Sequence, residues 1–150
     1  MSEPKEVCVD ASLAVKWVVK ESYDEEAAAL LEKWRIDKVE LIAPAFFEVE
    51  VDSIIRKKVV SRKTLTASEG DIAFELLQHL SIKILNLPNQ RQRAWELAKE
   101  LDLPTIYDAT YLALSFLRGC EFWTADEKLY NSVKNKLPFV KWLGEYKIDE

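Results

Sequence analysis

Four acidic residues pose the chemical question in this chain: Asp10, Glu50, Asp108 and Asp126, each drawn from a separate stretch rich in apolar residues. Little else in the sequence is reactive. There is one histidine, His79, and there are two cysteines, Cys8 and Cys120. One His with no partner argues against a Ser-His-Asp machine or a zinc centre, and neither Cys has a second Cys or a His at ligand spacing. His79 therefore reads as a surface or cap residue, and the cysteines as reduced packing residues. With only 3 glycines, a Gly-rich loop around phosphates is excluded. What remains is carboxylate chemistry.

Carboxylates held close together raise one another's pKa and destabilise a fold unless something neutralises them. A hard divalent cation does so, and oxygen-only ligands suit Mg2+ or Mn2+ rather than zinc. Such an ion lowers the pKa of bound water, and two ions about 3.5–4 Å apart clamp both oxygens of a phosphodiester displacement. The expected cofactor is one or two Mg2+ or Mn2+ ions held by Asp10, Glu50, Asp108 and Asp126. Ser12 and Thr124 are candidates for steadying those carboxylates or orienting water, with local capping an equally good account of both.

The elements that must position these acids follow from periodicity and punctuation. A strand over residues 6–10 ends at Asp10, and a helix follows over 12–20. Ser22-Tyr23-Asp24-Glu25 has the form of a capping box for a helix to about 37. Asp24, Glu25 and Glu26 suit the positive end of that helix, so capping explains this acidic run better than catalysis. A strand over 39–43 leads to Pro44, at the start of a helix through 58, where its missing N–H costs nothing. Thr66-Ala67-Ser68-Glu69 is a second capping box, opening a helix to about 80. A strand over 81–87 precedes a helix capped by Asn89 and running to about 101. The helix after Pro104 stops at Arg118 with Gly119 behind it. A strand over 121–124, a helix over 127–134 and a strand over 139–143 complete the chain.

Strands alternating with helices imply a mostly parallel central sheet in a three-layer α/β/α sandwich, with residues 1–150 as one domain. In such sheets ligands bind in the crevice beyond the carboxyl ends of the strands. Asp10 and Asp126 fall there. Asp108 opens a helix whose continuation, Ala-Thr-Tyr-Leu-Ala-Leu-Ser-Phe-Leu, carries no charge and must be buried. An Asp at that position is a helix cap, a partner of the helix dipole or a ligand, and the company of Asp10 and Asp126 favours the ligand. On the Pro44 helix, Phe47, Val51, Ile54 and Ile55 form the apolar stripe. Glu50 lies beside it, between Phe46 and Ile54. Glu48 lies on the other flank near Asp52 and fits a solvated acid better, so helical geometry modestly favours Glu50 as the fourth ligand.

The formal net charge of -5 argues against a large nonspecific nucleic-acid binder. It does not argue against a nuclease, because two bound divalent cations would offset most of it. No apolar run is long enough to span a bilayer and no signal-peptide core is present, so the expected location is the cytoplasm, away from any membrane.

At these residues the chain resembles the PIN-domain nucleases, particularly the toxin subunits of VapBC-type toxin–antitoxin pairs. The motifs that carry the resemblance are Val9-Asp10-Ala11-Ser12, Glu50-Val51-Asp52-Ser53 after Ala43-Pro44, Tyr107-Asp108-Ala109-Thr110-Tyr111-Leu112-Ala113-Leu114, and Trp123-Thr124-Ala125-Asp126. They occur in the family's order over nearly the whole chain, with one departure at Ser53, where asparagine is frequent. The resemblance implies that Asp10, Glu50, Asp108 and Asp126 bind the metal, and the register from Pro44 supports Glu50 over Glu48. It implies an endoribonuclease for single-stranded RNA, a homodimer and a small antitoxin that blocks the site. Lys16, Arg56, Lys57, Lys58, Arg62 and Lys63 are then candidate contacts to RNA phosphates, although basic helix ends more often serve only solvation and the helix dipole.

Other readings meet specific obstacles. A phosphoacceptor signalling domain needs an aspartate ending the third strand, where this chain has Ile84-Leu85-Asn86-Leu87. A haloacid-dehalogenase-type phosphatase needs a second Asp two residues after the first, and Ser12 stands there. A housekeeping PIN nuclease in RNA processing or quality control would use the same four acids. A non-catalytic PIN-like interaction module would have no need to keep them all.

Overall fold

The computed structural model describes residues 5–148. In chain order the elements are β1 (Glu6–Val9), α1 (Ala11–Val15), α2 (Asp24–Ile36), β2 (Glu40–Ala43), α3 (Phe46–Val60), α4 (Ala67–Gln78) and β3 (Ile82–Ile84). Then come α5 (Gln90–Glu100), α6 (Tyr107–Arg118), β4 (Glu121–Thr124), α7 (Glu127–Val133) and β5 (Val140–Trp142), followed by a 3-10 turn over Leu143–Glu145. The five strands form one sheet in the order β3-β2-β1-β4-β5, with every pairing parallel.

That order follows from which runs are apolar on both sides. β1 is central, and its Val7, Cys8 and Val9 are buried, as a strand covered on both faces requires. Its neighbours are β2, through Val7 opposite Leu41, and β4, through Cys8 opposite Phe122. The edge strand β3 is only half-buried. Along the sequence the chain fills one side of β1 with β2 and β3, then crosses to the other side for β4 and β5. The reversal between β1 and β4 opens a crevice at the carboxyl ends of those two strands.

The nearly uncharged α6 is the buried helix its sequence implies. Ala109 and Tyr111 through Ser115 are all buried, with Leu112, Ala113 and Leu114 inaccessible to solvent. It ends at Gly119, whose φ of 65° is the left-handed conformation glycine adopts most easily. Gly70 serves a different purpose: a Cβ there would lie 2.6 Å from Val59 Cγ2, so its absence lets α4 lie close against α3. The capping box at Thr66 is present with both reciprocal bonds, Glu69 N to Thr66 Oγ1 at 3.1 Å and Thr66 N to Glu69 Oε1 at 2.8 Å. His79 is the exposed C-cap of α4, and both cysteines are free thiols.

Three local expectations are corrected. No capping box forms at Ser22: the N-cap of α2 is Tyr23 in the left-handed region, φ 65°, without a side-chain cap bond. Lys16 Nζ reaches this turn from the end of α1, donating both to Ser22 O at 2.7 Å and to Glu21 Oε1 at 3.2 Å. The helix expected over 12–20 regularly spans only Ala11–Val15. Beyond it the backbone tightens into i→i+3 bonds, Trp17 N to Ala14 O and Val18 N to Val15 O, while the Trp17 indole donates to Ala27 O at 2.8 Å. Asn89 precedes α5 but makes no side-chain cap; Gln90 Oε1 accepts the Leu87 N–H at 3.0 Å instead. Among the described residues no helix is long and apolar enough to cross a membrane.

Candidate active site

Asp10 sits where β1 ends, and its carboxylate is the most heavily bonded side chain of the site. Oδ1 accepts from Leu13 N at 3.0 Å, capping α1, and from Ser12 Oγ at 2.7 Å. Oδ2 accepts from Thr124 Oγ1 at 2.5 Å. A carboxylate has roughly four acceptor positions, so about one is left for a ligand. The two hydroxyls each spend their single proton on Asp10 and act as acceptors toward the neighbouring turn. Ser12 Oγ takes the Ala125 N–H at 3.1 Å and Thr124 Oγ1 takes the Asp126 N–H at 3.0 Å. Capping and steadying are thus combined in Ser12 and Thr124, which tie the end of β1 to the turn that carries Asp126.

Asp126 begins α7 as its N-cap, with Oδ1 accepting from Leu129 N at 3.1 Å and the side chain exposed. Asp108 is different. The N-cap of α6 is Ile106, without a side-chain cap, so the capping account of Asp108 fails. Among the described residues its half-buried carboxylate receives no hydrogen bond from the protein. Glu50, one turn into α3, is half-buried and accepts from the Tyr111 hydroxyl at 2.6 Å, whereas Glu48 is exposed. Glu48 and Asp52 instead line a separate cavity of about 410 Å³ between α3, α4 and β3, which none of the four acids lines.

The electrostatics tie the four together. Burial pushes the Asp10 carboxyl up to about 7, against the pull of Thr124, Ser12 and the Leu13 N–H, and Glu50 adds to the rise. Asp108 is pushed up to about 6 by burial first, then by Asp126 and Glu50. Burial, together with the bond to Glu50, drives the Tyr111 hydroxyl far up, so it stays a donor at any physiological pH. No lysine or arginine among the described residues forms an ion pair with any of the four acids; the ion pairs lie elsewhere. The acids feel one another but stand apart. Among the described residues no three His, Cys, Asp or Glu side chains are close enough to form a finished metal cage. An all-oxygen donor set that forms no ion pair with a basic residue among the described residues fits Mg2+ or Mn2+ in its chemistry.

Residues 7–134 match the family described as PIN domain. The chain belongs to the PIN domain family. Ribonuclease VapC9 of Mycobacterium tuberculosis is 26% identical over 134 residues, covering 89% of this chain and 96% of that protein. VapC ribonuclease Mb0985 of Mycobacterium bovis matches to the same extent. Among solved structures, a toxin–antitoxin complex from Klebsiella pneumoniae superimposes with a TM-score of 0.62 at 20% identity, covering 91% of this chain and 97% of that one. VapC20 of Mycobacterium tuberculosis, described as a sarcin-ricin loop cleaving toxin, superimposes at 0.60 with 14% identity over 84% and 94% of the two chains. At these identities the structures speak for the PIN fold.

The six basic candidates separate into two groups within this PIN domain. Lys16 and Lys58 both bind Glu21, at 3.2 and 2.5 Å, and their side chains are only 13% and 15% exposed. Burial works against the Glu21 charge, yet Lys58 and Lys16 hold its carboxyl below the usual range. These two lysines are committed to joining α1 and α3. Arg56, Lys57, Arg62 and Lys63 are exposed. Arg62 and Lys63 follow the end of α3, roughly 15 Å along the axis from Glu50 at 1.5 Å per residue, too far to touch a phosphate at the acids. The residue that sequence reading missed is Tyr111. Its signal was available: a Tyr in an otherwise apolar helix needs a partner for its hydroxyl.

Proposed function

We propose that this chain is a metal-dependent endoribonuclease that cuts single-stranded RNA and acts as the toxin of a type II toxin–antitoxin pair. The observation that carries the proposal is the electrostatic coupling of Asp10 with Glu50, and of Asp108 with Glu50 and Asp126, with no ion pair from a lysine or arginine to any of them among the described residues. The VapC ribonucleases that the chain resembles, and a structural neighbour solved as a toxin–antitoxin complex, support the RNA substrate and the antitoxin. The reading takes residues 1–150 as one PIN domain working in the cytoplasm as a homodimer.

In this reading Asp10, Glu50, Asp108 and Asp126 hold one or two Mg2+ or Mn2+ ions. The chemistry supplied there is charge neutralisation at the scissile phosphate and acidification of the attacking water. Asp10 is the fixed point, because Ser12, Thr124 and the Leu13 N–H leave it one orientation. Thr124 also grips the Asp126 backbone, which sets where that second acid begins. Tyr111 holds Glu50 from behind by donating its proton. Asp108 receives no hydrogen bond from the protein among the described residues, which leaves both of its oxygens open to a cation.

The test is cleavage of a single-stranded RNA with Mn2+, with EDTA, and with Mn2+ restored in excess. Activity should vanish with the chelator and return with the metal. Cutting that persists in EDTA defeats the proposal.

A further inference from the structure

Next to the acids lies a pair of aromatic rings for which metal chemistry has no use. Phe46 opens α3 and Tyr107 opens α6. Their rings stack with centroids 4.9 Å apart and planes inclined by only 14°. The order continues inward, since Phe46 meets Tyr111 edge-on at 6.5 Å and Tyr111 donates to Glu50. Phe46 stands one helical turn before Glu50, and Tyr107 directly precedes Asp108. The two helix-borne acids and the two rings therefore rise from the same pair of helix starts.

The two rings are not equivalent. Phe46 is half-buried against the core, while Tyr107 is 52% exposed and its hydroxyl has no protein partner among the described residues. Tyr107 thus has one face backed by the Phe46 ring and about half of the residue's surface open to solvent, beside a carboxylate expected at the reacting phosphate. Every nucleobase has a flat face that stacks on such a surface, and aromatic residues serve single-stranded RNA in this way regardless of sequence. Bases within a duplex already stack on each other and offer no free face. The acids alone read only phosphate and cannot make that distinction.

We propose that Tyr107, backed by Phe46, stacks on an unpaired nucleobase flanking the phosphate to be cut, and so makes this site selective for single-stranded RNA. This rests on the ribonuclease reading above.

The experiment maps the position that the wild-type protein cuts in a short single-stranded RNA with Mn2+. Tyr107→Ala and Tyr107→Trp are then compared on that RNA and on versions abasic at either nucleotide beside the cut. On intact RNA, Tyr107→Ala should raise KM about 5- to 100-fold, the range for losing one base–aromatic stack, with the loss in KM rather than kcat. Tyr107→Trp should restore binding. One abasic RNA should weaken wild-type binding to the same degree, and on it Tyr107→Ala should cause no further loss. Equal loss on intact and abasic RNA overturns the proposal, as does loss accompanied by a change in sedimentation, which would place the ring at a contact between two copies of the chain. If wild-type protein cuts no RNA at all, the ribonuclease reading falls first; if it cuts and Tyr107→Ala cuts equally well, only the stacking proposal falls.

Discussion

The two halves of the acidic site are built in opposite ways. On the strand side, Leu13 N, Ser12 and Thr124 set the direction of the Asp10 carboxylate before any ligand arrives, and Asp126 caps α7 through Leu129 N while Thr124 holds its backbone N–H. On the helix side, Glu50 has one bond, from Tyr111, and Asp108 has none among the described residues. The strand half shows how a fold builds a carboxylate into its structure. The helix half holds Asp108, whose charge is opposed by burial and by Asp126 and Glu50 with no hydrogen bond in return among the described residues, a cost that protonation or a bound cation would relieve.

The sharpest way to break this contrast is to mutate one acid from each half. Asp108→Asn should lower RNA cleavage by about a thousandfold or more, as for removal of a group essential to the chemistry. Its resistance to urea should hold or rise, since the charge removed is one that burial and two neighbouring acids oppose. Asp10→Ala should abolish activity as well, but at pH 5, where the Asp10 carboxyl is protonated and no buried charge is relieved, it should cost about 2–3 kcal/mol of stability, because a helix cap and two hydroxyl partners are orphaned. If both substitutions destabilise equally, the two halves do not differ.

The pH response comes next in size. The folded-state pKa values of Asp10 and Asp108, about 7 and about 6, lie above their ordinary value. Their contribution to stability is therefore complete below about pH 4 and is lost as pH rises through 6 to 7. Glu21, shifted down, acts in the opposite sense, but only below the usual carboxylate range. Metal-free protein should thus melt lower at pH 8 than at pH 5, and Mn2+ should reverse the order, because the ion binds the deprotonated acids. Calorimetric titration should show Mn2+ affinity at least about tenfold weaker at pH 5 than at pH 8. An affinity independent of pH would mean that these acids are not the ligands.

The smallest effects separate the supports from the acids. Thr124→Val removes a donor to Asp10 and an acceptor for Asp126 N, and should weaken Mn2+ binding by about 10–100-fold, the usual range for groups behind a ligand. Tyr111→Phe frees Glu50 while keeping the ring in place, and should lower cleavage by only a few fold. If Tyr111→Phe has the larger effect, the helix half is the more rigid one.

What the sequence made legible was what depends on near neighbours and period. β4 spans the same four residues in both readings, the Thr66 capping box and the Gly119 stop are present, and the acids fall at the expected edge. The choice of Glu50 over Glu48 follows the apolar stripe of α3, and the structure buries the first more than the second. Illegible were features decided by residues distant along the chain. Lys58, which reads as a free cation, is claimed by Glu21 from 37 residues away. The Tyr111 to Glu50 bond spans 61 residues and leaves no periodic trace.

The bond between Thr124 and Asp10 joins residues separated by 114 positions, almost from one end of the described chain to the other. A growing polypeptide lacks Thr124 and Asp126 until most of it has been made, and the central strand β1 has no partner on one side until β4 is available. Closing so long a loop is slow and comes late in folding. On the ribonuclease reading, the site cannot assemble before β4 and the turn after it have been made, so cutting power would arise only at the last stage of folding.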